Sequence, residues 1–251
     1  MNSQQERLQV LLAHPGLISV WDFQEEAGQP RVAKGPYPYA LQEQSGPVSR
    51  AAEGVLGPYA ADIAFGQWFN LPRAAAPALN IGGANAQLTV AAWVKREQRD
   101  TPECQAVAGM WDETRKKRQY CLFLDLKIWD SQDQVCGHVS GEGGPTPGYK
   151  YCMSSAIGNS PVVKGEWHAI AFTYDGQTAR CYLDGKLDER EQWNPFAYEG
   201  GLFDGGTDGA DFTVAAVNRS GVPGNFYSGL LGGLAVFNRA LTEEDIEGIV
   251  R

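Results

Sequence analysis

Abstracting a proton beside a carboxylate requires a base, a group that neutralises the acid, and a positively charged cleft. In this sequence His138, Tyr149 and Tyr151 are candidate bases, Arg219 is a candidate neutraliser, and Lys150 adds charge between the tyrosines. All but Arg219 fall within residues 129–161, a Gly-, Pro- and Tyr-rich stretch that reads as an unusually long hairpin connection. Long loops on rigid scaffolds tend to carry function, although such a loop can also do no more than cover a sheet edge. A second chemistry is stacking, in which apolar sugar faces lie on aromatic rings while nearby polar groups hold the hydroxyls. Trp111, Trp129 and Trp193 stand at loop entrances and suit that role, as do Asn218, Asn225 and Tyr227 in a polar, aromatic loop over 218–227. Trp21, Trp93 and Trp167 instead sit inside apolar strand patterns and are expected in the core.

Other chemistries lack their residues. Retaining glycoside hydrolysis needs two carboxyl groups about 5 Å apart, which on a strand means acids at alternate positions. No expected strand offers them. Asp184, Asp188 and Glu189 fall at a turn, and Glu243, Glu244 and Glu247 on a C-terminal helix. His14, His138 and His168 are too scattered for a histidine metal site. His14 reads as the cap of an N-terminal helix, His168 as a core or sheet-face residue, and His138 as the exposed one. The five cysteines (Cys104, Cys121, Cys136, Cys152 and Cys181) contain no C-x-x-C pair, and they read as core thiols of a reducing, cytoplasmic protein.

The 251 residues carry 21 basic and 30 acidic side chains, a net charge of −9. Such a surface repels phosphate backbones and anionic lipid, which argues against nucleic-acid and membrane partners. The one basic run, Arg115-Lys116-Lys117-Arg118, reads as a solvated hairpin tip or, more sharply, as a contact for an acidic glycan. At the N-terminus Leu8, Leu11 and Leu12 have helical spacing, and the opening MNSQQ carries no basic residue. That reads as a helical lead-in over 1–15, neither a secretion signal nor a membrane span.

Thirty glycines and fourteen prolines spread along the chain predict short strands joined by turns. Strands are expected at 17–23, 63–71, 88–95, 106–110, 120–126, 212–217 and 230–237, within a total of roughly ten to thirteen. The clearest hairpin spans 167–184, with Asp175-Gly176 and Asp184-Gly185 as its turns. Thr242-Glu243-Glu244-Asp245 has a capping-box pattern and predicts a closing helix over 242–251.

Three pieces in order carry a family resemblance: GLISVWDFQEEAG with LTVAAWVK, then GEWHAIAFTYDGQTARCYLDGKLDE, then FYSGLLGGLAVFNRALTEEDI. Over residues 16–249 the chain resembles the laminin G-like jelly-roll domains of the concanavalin A-like lectin/glucanase superfamily. The resemblance implies one all-β domain over 1–251, a two-sheet antiparallel jelly-roll sandwich with short N- and C-terminal helices. It also implies binding of an oligo- or polysaccharide through the concave sheet and the 129–161 and 218–227 loops. The alternatives are a polysaccharide lyase or glycoside hydrolase on the same fold, and a protein-interaction module, since fold alone does not fix function. Such domains often carry structural calcium, held by an acid after the first strand and another on the last. Here Lys34 stands near the first position, and the last strand reads Gly229-Leu230-Leu231-Gly232-Gly233-Leu234. Calcium needs six to eight oxygen ligands, and no such set assembles from the sequence.

Overall fold

A computed structural model describes residues 3–219 and 221–251. Helix α1 (Ser3–Ala13) leads into β1 (Leu17–Trp21), whose five residues are all buried. Short strands β2 (Arg31–Val32), β3 (Ala40–Gln44), β4 (Ser49–Ala51), β5 (Ala60–Ile63) and β6 (Trp68–Leu71) follow. The long central strands are β7 (Leu88–Arg96), β8 (Gln105–Asp112), β9 (Lys117–Leu124) and β10 (Val135–Val139). Then come β11 (Ser155–Ile157), β12 (Trp167–Tyr174), β13 (Thr178–Leu183), β14 (Lys186–Leu187) and β15 (Phe196–Ala197). The chain ends through β16 (Phe212–Val214), β17 (Val217–Arg219), β18 (Val222–Gly224), β19 (Gly229–Phe237) and helix α2 (Glu243–Val250).

These strands form two antiparallel sheets stacked as a sandwich, the all-β architecture expected. One sheet runs β14-β13-β12-β7-β19-β5-β4, with β1 on β19 and β15 on β13. The other runs β11-β10-β9-β8-β16-β6-β3-β2, and β17 and β18 extend it beside β8. Alternation along the strands sorts the apolar residues onto separate faces. Tyr120, Leu122 and Leu124 of β9 point into the core between the sheets, with Phe172 and Val90 from the opposite layer. Trp21 stacks on Phe212 there, ring centroids 5.7 Å apart. The outer face of the first sheet packs Trp93 and Phe237 against Leu8 and Leu11 of α1 and Ile246 and Ile249 of α2. Thr242 caps α2: its side chain accepts from Asp245 N, and the Asp245 carboxylate accepts from Thr242 N.

The structure corrects several expected boundaries. Residues 63–71 are two strands in different sheets, because the chain turns at Gly66 (φ 95°) where Ala64 N donates to Gln67 Oε1. Residues 212–217 likewise divide at Ala215 (φ 67°). The nineteen strands among the described residues exceed the expected number because many are only two or three residues long. The supposed 129–161 connection contains β10 and β11. Gly137 disguises β10 as a loop, yet it is the residue that lets the sheets approach: a Cβ there would lie 2.5 Å from the Phe172 ring. His14 turns to the other helix, with Nε2 3.7 Å from Asp245 Oδ1.

Gly137→Ala should therefore cost about 1–3 kcal/mol through overpacking. Gly248→Ala, where an added Cβ meets nothing within 4 Å, should gain up to about 1 kcal/mol of helix propensity. Urea unfolding of the two variants beside the parent measures both signs.

Candidate functional site

The outer face of the second sheet is not polar. Ala106, Trp111, Cys121, Phe123, Cys136 and Ile157 form a third apolar cluster there, with Trp129 and Trp193 packed on it. Over this face lie the connections before and after β10, and between them opens a cavity of about 280 Å³. Three rings from adjacent strands make its floor. His138 of β10 is 5.2 Å from Phe123 of β9 and 5.4 Å from Trp111 of β8, both edge-on. Glu103, Arg219 and Asn225 line one side, Leu126, Lys127 and Ile128 another, and Tyr151 and Cys152 a third.

Charged groups hold these walls. Arg219 pairs with Glu103, whose other oxygen accepts from Asn225 N at 3.3 Å. Asn225 Nδ2 donates to Cys104 O at 3.2 Å, while its Oδ1 is buried with no partner. Glu113 accepts from Trp111 Nε1 at 3.3 Å. The 125–133 connection is fastened from beneath by Arg96, which reaches across from β7 in the other sheet. Its guanidinium lies 3.5 Å from Asp125, bonds Asp133 and Gln105, and donates to Val162 O at 2.9 Å. Asp125, Lys127, Trp129, Asp130 and Asp133 all take positive φ values. Backbone strain of this kind persists only where surrounding contacts over-determine it, as they do here.

The expected site residues divide between this cavity and other places. Trp111, His138, Tyr151, Arg219 and Asn225 meet at it. Asn218 lies next door, donating to Asp112 at 3.1 Å beside a 120 Å³ cavity that shares Trp111. Trp129 and Trp193 stack on each other, centroids 4.8 Å apart, and cover the apolar cluster. Tyr149 and Lys150 stay on the outside of the 141–154 connection, where Tyr149 is 58% exposed and the Lys150 ammonium is 5.0 Å from the Tyr151 ring. Tyr227 has no accessible surface; its hydroxyl donates to Leu230 O, which removes it from any ligand's reach. His138 is the other correction: it sits on β10, not in a loop, and is 5% exposed. Glu103 and Glu113 escaped the reading of the sequence. They flank β8 at its two ends, and only the fold turns both toward one cavity.

Burial, and then the nearby charge of Arg118, holds the His138 imidazole at a pKa of about 3. It is neutral at physiological pH and a poor base, and one ring nitrogen donates while the other accepts. Burial, followed by the Glu113 charge, pushes the Cys104 thiol up to about 12, so it offers no nucleophile. The cavity therefore presents aromatic edges, hydrogen-bonding groups and two carboxylates, but no activated base or thiol.

The residues near the implied calcium position do not fit that ion. Lys34 delivers its ammonium to the carboxylate of buried Asp22. A Cβ on Gly232 or Gly233 would strike Val55 or Leu56, so the last strand leaves no room for an acid there. Among the described residues no group of three or more His, Cys, Asp or Glu is arranged for a metal.

A family model described as the Concanavalin A-like lectin/glucanases superfamily (Laminin_G_3) matches residues 71–247. No curated protein matches. Among solved structures, the chain is similar to domain 4 of AbnA, a GH43 extracellular arabinanase from Geobacillus stearothermophilus, in complex with arabinotriose. Identity is 18% and the TM-score 0.61, covering 94% of this chain and 98% of that one. It is similar to Trypanosoma rangeli sialidase at 14% identity and TM-score 0.55, covering 95% of this chain but only 33% of the sialidase. The Ruminococcus gnavus IT-sialidase CBM40 matches at 14% identity and TM-score 0.54, covering 76% of this chain and 96% of that domain.

Two outcomes follow from the site's electrostatics. His138 titrates near 3 when folded against 6.5 in the unfolded chain, so the unfolded state binds the extra proton between those values. Stability should fall as pH drops from about 6.5 toward 3, and His138→Gln should flatten that part of a melting-temperature profile. Arg96→Met leaves Lys127 as the one cation beside buried Asp125 and strips Gln105 Oε1 and Val162 O of their buried donor, so it should cost about 3 kcal/mol in denaturant unfolding.

Proposed function

Because the chain belongs to the concanavalin A-like lectin/glucanases superfamily, we propose that it binds glycans, in the cavity floored by Trp111, Phe123 and His138. The observation that carries this reading is the cavity's composition: aromatic rings across three adjacent strands, walled by Glu103, Asn225, Arg219 and Lys127. Rings meet the apolar faces of a sugar, and carboxylates and amides hold its hydroxyls. Asn225 and His138, two of the residues that line the cavity, each carry a buried side-chain atom without a hydrogen-bond partner, Oδ1 and Nδ1. Support comes also from similar structures described as a complex with arabinotriose and as a sialidase CBM40. A lyase built on His138, Tyr149, Tyr151 and Arg219 is disfavoured: His138 is too weak a base, Tyr149 lies off the cavity, and Arg219 is engaged by Glu103.

A glycan array, followed by calorimetry on the best ligand, tests the reading. Tyr151→Ala, at a side chain exposed enough to leave folding intact, and Asn225→Ala should each weaken binding about ten-fold, roughly the value of one good hydrogen bond or stacking contact. Reducing-sugar and ultraviolet product assays should stay flat. Retention of no glycan overturns the proposal; product formation that Glu103→Gln or Glu113→Gln abolishes replaces it with a hydrolase.

A further inference from the structure

A single row of the second sheet runs through both the main cavity and the smaller one at Asn218. Successive register partners cross six strands in one line: Gln42 of β3, Asn70 of β6, Thr213 of β16, Gly109 of β8, Cys121 of β9 and His138 of β10. Residues paired in this way share a face of the sheet. Phe69, Leu71, Phe212 and Val214 point into the core, so Asn70 and Thr213 face outward with His138. His138 floors the first cavity, and Asn70 and Thr213 line the second. Midway along the row Gly109 adds no side chain, and Trp111, two residues further along β8, lines both cavities.

The walls divide in the same way. The end of β8 pairs in parallel with β17, Asp112 opposite Asn218. Glu113 and Arg219 line the first cavity, whereas their chain neighbours Asp112 and Asn218 line the second. There Trp68 is half-buried, Asn70 donates to Asp211 at 3.3 Å, and Asp112 accepts from Arg115 Nε at 2.7 Å and Asn218 Nδ2 at 3.1 Å. Arg115, the first residue of the basic run, lines this cavity with 57% of its side chain exposed. An aromatic ring among amides, carboxylates and a guanidinium is again what a sugar's faces and hydroxyls require. At about 120 Å³ the second cavity falls below the range of a free-standing ligand site, about 300–1,000 Å³, while the two together lie within it. We infer that the two cavities are neighbouring subsites of one groove, and that the ligand is a linear oligosaccharide lying across the strands. From His138 to Asn70 the row takes four strand spacings, about 19 Å, which one sugar ring cannot span. This rests on the glycan-binding reading and adds a chain length and a direction to it.

Calorimetry with cello-, xylo-, manno- and galacturono-oligosaccharides of one to six units tests it. In a ladder that binds, affinity should rise at least ten-fold from one unit to four and level off by six, because the second subsite acts on a chain the first already holds. Arg115→Ala and Trp68→Ala should each cut the ratio of four-unit to one-unit affinity several-fold. Tyr151→Ala, in the first cavity, should lower both affinities and keep the ratio. Circular dichroism checks each fold, and Arg115→Ala, at an exposed side chain, decides the matter if Trp68→Ala does not fold. A ratio near one, or a ratio that survives both variants, overturns the inference while glycan binding stands. If no ladder binds, the inference falls as well, and the glycan array decides the broader reading by itself.

Discussion

The contacts of one buried arginine tie the two layers of this sandwich to its cavity. Arg96 ends the central strand of the helix-backed sheet, yet its guanidinium serves the other layer, meeting Gln105 at the start of β8 and Asp125 and Asp133 in the connection over the cavity. A buried cation among two carboxylates and a carbonyl tolerates little displacement, since Gln105 Oε1 and Val162 O would lose their donor and Asp125 one of its two cations. The same side chain therefore sets the depth of the β8 end and the height of the 125–133 wall. The left-handed residues in that wall are held by this network and by the Arg190 bond to Trp129 O.

A second constraint is the apolar character of both faces of the β8–β9–β10 region. Tyr120, Leu122 and Leu124 fill the core, so Cys121, Phe123 and their neighbours Trp111, Cys136 and His138 face outward. Such a face needs cover. The stacked pair Trp129 and Trp193 supplies much of it, and the 141–154 connection supplies more. The cavity is the part these covers leave open. Its apolar floor is thus a consequence of sheet alternation, and its polar walls come from the connections, which water also reaches.

Lys34 and Asp22 show how the fold supplies a buried carboxylate with its own counter-charge. An ammonium brought to a buried carboxylate neutralises it without a bound ion, and the tight packing around Gly232 and Gly233 suits glycine alone. The basic hairpin run shows the complementary point. Four consecutive cations look alike in sequence, but the extra residue in β9 opposite Met110 and Trp111 brings Arg118 into register with Trp111, where it is buried, while Arg115 stays out.

The residues by themselves determined the sandwich. Alternating apolar patterns, Gly-bearing turns at 175–176 and 184–185, and the Thr242 cap are local signals whose physics needs no partner. They also marked Trp111, Tyr151, Arg219 and Asn225 as candidates by residue type. Only the tertiary structure decided which of them share a cavity, because that depends on strands far apart in sequence lying side by side: β8, β9 and β10 with β17. It also buried Tyr227, placed His138 on a strand that Gly137 had hidden, and gathered Glu103 and Glu113. A bulge and a close sheet-to-sheet contact leave almost no trace in hydropathy, yet they decide where Arg118 and His138 come to lie.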